Sequence, residues 1–418
     1  MSTNLFFDSI QILQGSKEKV RKDAVFIEDG ILKNFGDCAR TAASKAGVEP
    51  TKSNHKIIAP CLVDPHSILT KPLDGVEENI ASLQRKASIG GYGQVALLPE
   101  GKPFRDNPEM IKGISVQNSD VEIHLWGSFS IKGESEKLSR HEDLLNSGAI
   151  GLSENYSRTS MALLKQGLDL GETGKAPILV SPIDEEIQAK GIVRESIEAL
   201  RAGWRMDPIQ SETIPLSQII ELQRCHPHRK IEVMNISTSA GVSMLYNLPF
   251  KLMASVCWWH VLKDSSSLKP FDLGWKMKPS LGGPSDRLSL IQGLKEKTLT
   301  AIAVNAVPLN DNQTKQPTES REAGISSYDL VLPLLWRELV ILNEWPIEQL
   351  WETLSFGPSK MIGSKEEELK EDSNRWIIFD PDVRWENTNN EAGSSSTANK
   401  PCLGQEIIGR VTHCGLQA

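Results

Sequence analysis

Short apolar runs separated by helix-period stretches recur through the middle of this chain. Runs at 57–64, 93–98, 121–126, 149–152, 177–181, 231–236, 252–257 and 300–304 have the length of strands, and each is short and largely apolar. Strands buried between two layers read this way. Amphipathic stretches such as Ser217 to Cys225 and Asp286 to Leu294 lie between most of them. Eight strands alternating with helices is the count of a (β/α)8 barrel of the TIM type, although the periodicity alone also fits an open doubly wound sheet. The two ends of the chain differ from this middle. Ala24 to Ile27 is a strand, Glu28-Asp29-Gly30 a tight turn, and Trp376 to Phe379 and Ile407 to Val411 are further strands. The pattern predicts an α/β chain, with a barrel over 57–370 and a small β-sandwich composed of 1–56 and 371–418. Leu309 to Ile325 and Asn387 to Lys400 read as loops, the second of low complexity and expected to be mobile.

Composition narrows the function classes. The chain has 418 residues, 39% apolar and 24% charged, which suits one large globular α/β domain with a satellite. Formal charge is 46 − 54 = −8 with no basic run, so nucleic-acid binding is not expected. No apolar run reaches membrane-span length, and MSTNLFFDSIQI has no secretion-signal pattern. The six cysteines include no CxxC pair, so reduced thiols and a cytoplasmic location are expected. No P-loop, GxGxxG, GxSxG or HExxH motif is present.

What chemistry remains is read at the strand ends. Ile57 to Leu69 is IIAPCLVDPHSIL, a strand running into Asp64, Pro65 and His66. Side chains alternate along a strand, so positions 66 and 68 face the same way. LVDPH, GGYGQVALLP, APILVSP, MNISTSAG, WKMKPSLGGPSDRL, AIAVNAVP and IIFDPD together resemble the amidohydrolase superfamily, and dihydroorotases in particular, over nearly the whole chain. In that family the first strand ends in His-x-His, which binds catalytic zinc. Here His66 stands at the first position and Ile68 at the second.

The resemblance implies further departures. Thr70 stands where an arginine would hold the substrate carboxylate, and threonine cannot reproduce that bidentate contact. Glu100 holds a substrate-binding asparagine position. Glu154 or Asn155 stands where a carboxylate approaches the metals. Ser181 and Asn235 replace metal-binding histidines. Trp259 replaces a histidine, while His260 is retained. Lys278 and Gly282 replace asparagine and arginine of the substrate loop. Asn305 stands at the base and metal-ligand position, and Ala306 and Leu309 replace two histidines. An amide cannot accept a proton at neutral pH. The resemblance thus implies a pseudoenzyme, with His66 and Glu154 as remnants and neither zinc, substrate site nor hydrolytic activity of its own expected.

Ile68, Trp259, Ala306 and Leu309 are expected to refill the emptied metal cavity, because voids are costly. His124 is expected to be a satisfied core residue, His141 exposed, and His226 and His228 the end of a helix. Some dihydroorotase relatives with degenerate metal sites assemble with aspartate carbamoyltransferase. The resemblance therefore implies an oligomer with that partner in pyrimidine synthesis. The alternative is an active zinc-dependent amidohydrolase whose site is rebuilt around His66, Glu154, Asp184 and His260.

Overall fold

In the computed structural model, which describes residues 4–53, 55–114, 119–154, 160–388 and 397–416, the eight runs form eight parallel strands arranged in chain order. They are Leu62–Ser67, Tyr92–Leu97, Glu122–Ser128, Gly151–Ser153, Pro177–Val180, Lys230–Val233, Met253–Cys257 and Ala301–Ala303. Strand alternation sorts their side chains into two layers. Ile178 and Val180 join the large cluster between strands and helices, while Leu179 between them turns inward. Val63, Ala96, Trp126, Leu179, Met234 and Ala301 form that inner layer, with Ile68 packed against it. The Trp126 indole N–H donates to the Pro65 carbonyl at 3.0 Å.

Side chains seal the seam between the first and eighth strands. Asp64 is fully buried and accepts from the Val304 N–H at 2.9 Å, the Ser67 hydroxyl at 2.5 Å and the Tyr328 hydroxyl at 3.0 Å. Ser67 Oγ in turn accepts from the Ala306 N–H at 2.8 Å. The Ile68 N–H donates to the Ala306 carbonyl, also at 2.8 Å. The backbone groups of the closing strand thus find partners that a ladder would otherwise supply.

Both ends of the chain build one six-stranded sheet. Its order is Glu406–Cys414, Ile377–Glu386, Ile57–Ala59, Leu5–Ile12, Arg21–Glu28 and Ile31–Phe35. The helix Gly36–Ala46 covers Phe6, Ala24 and Phe26 with Ala39 and Ala43. The apolar run at 57–64 is therefore two elements. Ile57–Ala59 pairs with Leu5–Ile12 and Ile377–Glu386, and the chain enters the barrel only at Leu62.

Of the predicted loops, 309–325 contains one short helix, Asp311–Thr314. Residues 389–396 lie outside the described residues, but both flanks are anchored: Asn387 and Asn399 are buried, and Asn399 bridges Leu309, Val307 and Gly324. Among the described residues no helix is long and apolar enough to cross a membrane.

Candidate functional site

The site is built from the carboxyl ends of the barrel strands, where loops of independent sequence converge. His66 is fully buried, and its Nε2 shares a 2.7 Å hydrogen bond with Ser255 Oγ on the seventh strand. Ser255 Oγ also accepts the Asn235 N–H at 3.1 Å. The Asn235 side-chain amide donates to Asn305 Oδ1 at 3.1 Å. Three positions at which the resemblance expects metal chemistry are thus tied together through Ser255 and paired amides. Burial pushes His66 down to about 3, with Asn305 beside it working the other way, so the ring is neutral at neutral pH.

The other expected site residues have separate roles. Ser181 is buried on the fifth strand and its hydroxyl has no partner. Glu154 is buried, and its Oε1 accepts from the Ser130 and Ser135 hydroxyls at 2.6 Å each. Burial raises its pKa, and those hydrogen bonds lower it in part. Asn155 lies outside the described residues. Thr70 is exposed, and its carbonyl accepts the Lys102 N–H at 2.7 Å. Lys278 pairs with Glu185 at 2.5 Å. At Gly282 a Cβ would come within 2.6 Å of Asp286, whose carboxylate accepts the N–H groups of Ser239 and Gly283. No side chain, an arginine included, fits there without displacing that carboxylate.

His260 is buried and bonds the Pro279 carbonyl at 3.1 Å, so it fixes the loop rather than facing a ligand. Burial lowers it to about 4. Asp184 caps the helix Glu185–Gln188 through the Glu186 and Ile187 N–H groups. Ile68 fills the inner layer as expected. Trp259 does not: it joins the outer cluster and donates to the Gly274 carbonyl at 2.9 Å beneath the loop after the seventh strand. Ala306 also belongs to the outer cluster, and Leu309 packs near the chain's anchored 397–400 segment. Trp126 and Met234 supply the interior volume instead.

His124 bonds Gln94 Oε1 at 3.0 Å, and His226 ends the helix Gln210–Cys225, both as expected. His141 is buried, not exposed. It bonds the Phe129 carbonyl at 2.8 Å and packs on the Phe129 ring.

Two buried arginines were invisible in the sequence reading. Arg194, on a short parallel strand pair inserted after the fifth strand, meets Asp207 at 3.1 Å and Glu212 at 3.4 Å. It also donates to Ser211 and Ser237, and Glu212 accepts from the Ser237 and Thr238 backbone. This network braces the loop carrying Asn235. Arg105, in the loop after the second strand, is likewise buried. No compositional signal distinguishes either from a surface arginine.

A hydrolytic zinc needs three protein ligands and an open position. The strand ends offer Ile68, Ser181, Asn235 and Asn305, and the remaining imidazole is held on Ser255. Among the described residues no three His, Cys, Asp or Glu side chains converge to hold a metal. The donor set does not fit zinc.

Several buried carboxyls tie stability to pH. Burial raises Asp64 and Glu100 to about 7 and Glu232 to about 8. A carboxyl raised in the folded state contributes stability that is complete below the ordinary carboxylate range and is lost as pH rises through the folded value. His66 and His260, both lowered, act instead on the acid side of about 6.5. Thermal stability is therefore expected to fall from about pH 4 to about pH 8, with the two histidines offsetting part of the fall below about 6.5. Asp64→Asn should flatten that fall in melting curves, and an unchanged slope would contradict the assignment.

No family model matches the chain. A dihydroorotase-like protein of Synechocystis sp. is 29% identical, with 96% of each chain covered. A dihydroorotase of Listeria welshimeri is 25% identical, covering 96% of this chain and 94% of its own. Among solved structures, the L-hydantoinase of Arthrobacter aurescens superposes with a TM-score of 0.77 at 15% identity, covering 97% of this chain and 93% of its own. The dihydropyrimidinase of Brevibacillus agri gives 0.74 at 15% identity, covering 98% and 93%. These structural likenesses concern the fold.

Proposed function

Because the chain is a dihydroorotase-like member of the amidohydrolase superfamily, we propose that it is a non-catalytic homologue kept as a structural or regulatory partner of aspartate carbamoyltransferase. The observation that carries this reading is the Asn235–Asn305 amide pair beside a His66 that is engaged by Ser255. Where hydrolysis of a cyclic amide needs an activated water, an electrophile and a base, these positions offer two amides and a neutral imidazole. Loss at four strands together is not repaired by any neighbour, since metal, base and substrate clamp act as a unit.

A site rebuilt around His66, Glu154, Asp184 and His260 is the competing reading. It is disfavoured because Asp184 caps a helix and His260 holds a loop carbonyl. Free thiols at all six cysteines fit the cytoplasm, where pyrimidine synthesis would place the protein.

The test is co-purification at near-native expression, followed by sizing with added carbamoyltransferase. A mixed complex and reduced carbamoyltransferase activity in a deletion strain are expected. Unchanged monomeric elution with undiminished activity in the deletion strain would contradict the partnership.

A further inference from the structure

A cavity of about 330 Å³ opens on the face of the barrel opposite the strand ends described above. Met253 and Thr300, at the amino ends of the seventh and eighth strands, line it. Its other walls come from the loop between Leu5–Ile12 and Arg21–Glu28 and from the helical stretch that follows Pro346. Two hydrogen bonds hold these walls together. Glu348 accepts the Val20 N–H at 3.0 Å, and the Gln349 side chain donates to the Lys295 carbonyl at 3.1 Å.

The lining is strongly cationic. Lys17, Lys19, Lys251, Lys295, Lys297 and Lys360 face Glu18, Glu348 and Glu352, a local surplus of 6 − 3 = +3 in a chain of formal charge −8. Lys360 pairs with Glu352 at 2.8 Å, and Lys19 approaches Glu348 at 4.0 Å. Among the described residues Lys17, Lys251, Lys295 and Lys297 are paired with no carboxylate. Lys295 and Lys297 close the helix Pro284–Lys295, where cations complement the helix dipole. Lys17 and Lys251 come from two other segments, and no helix ends at either. Lys297 also has left-handed backbone, with φ of 62°, at a helix end where glycine is the usual residue. A lysine is kept there at a conformational cost, and it lines the cavity.

We propose that this cavity binds a compact polyphosphate anion. A cleft lined mainly by one sign of charge focuses its field and concentrates ions of the other sign. No arginine lines the cavity, so it lacks the planar fork that selects carboxylates, whereas ammonium groups bind phosphate oxygens as point charges. Its volume lies at the small end of ligand sites, which suits a short chain of phosphates rather than a folded partner. Lysines from three separate segments, all without a carboxylate, match a triphosphate better than a single phosphate. The cavity is remote from the strand-end positions, so the proposal stands whether or not the chain assembles with a carbamoyltransferase.

The test is calorimetry and thermal melting of the full chain with inorganic triphosphate and with ATP, and with inorganic phosphate, citrate and a hexaglutamate peptide as comparisons. One-to-one binding of triphosphate or ATP is expected, with a rise in melting temperature and a weakening as salt is added. Tighter binding of ATP would assign the cavity to nucleotides, and tighter binding of triphosphate to free polyphosphate. Lys251→Gln and Lys297→Gly should each weaken binding by about tenfold, the scale of one charge-assisted contact. Glycine suits the left-handed backbone at 297, so that variant keeps its fold. Lys112→Gln, in the helix Pro108–Lys112 on the loop after the second strand, should leave binding unchanged. Absence of binding at roughly 1 mM probe would overturn the proposal. So would undiminished binding in both cavity variants, an equal loss in Lys112→Gln, or preference for citrate or hexaglutamate over triphosphate and ATP.

Discussion

Asp64→Leu is expected to destabilise the protein by roughly 3–6 kcal/mol, the scale for leaving several buried donors without an acceptor. The carboxylate accepts from Val304, Ser67 and Tyr328, and all three are in the sealed seam of the barrel. Leucine supplies volume but no acceptor. Ser67 would lose the bond that orients it towards Ala306, so the damage reaches a second contact across the seam. Asp64→Asn is expected to cost less than half as much. Its amide oxygen keeps the Val304 bond, and the two hydroxyls can rotate to accept from the amide nitrogen. Denaturant unfolding of the two variants checks the order, and equal losses would show that Asp64 is not what closes the barrel.

Arg194→Met carries the second large effect, roughly 3–5 kcal/mol, because it strands Asp207 and Glu212 as buried unpaired carboxylates. Both side chains are almost wholly buried, at 2% and 1% exposure. Replacing the three together with apolar residues of similar volume should recover much of the loss. A single variant with wild-type unfolding would mean that the network does not brace the loop.

The barrel was legible because strands buried on both faces leave short apolar runs at regular spacing. The one misjudged run, 57–64, failed for a topological reason. Ile57–Ala59 finds its partners in Leu5–Ile12 and Ile377–Glu386, segments far away in the chain that no local pattern connects to it. The positions expected to be degenerate come from resemblance alone, one residue at a time. What fills the space around them was not. Trp259 was expected inward, yet its indole is claimed by the Gly274 carbonyl, while Trp126, unremarkable in sequence, occupies the interior. His141 in a polar stretch suggests exposure, but Phe129 from the preceding loop covers it. Arg105 and Arg194 escaped for the same cause. Burial of a charge is a tertiary fact, and an arginine in a polar stretch looks exposed until the fold encloses it.

The central claim is that the strand-end positions no longer support hydrolysis. The most direct measurement is dihydroorotate turnover, in both directions, by the full chain purified in the presence of zinc. No rate above the protein-free control is expected, and none with Asn305→Asp, because one restored carboxylate leaves the other ligands and the substrate clamp missing. Turnover that is abolished by His66→Ala would contradict the account and establish a working site around that imidazole.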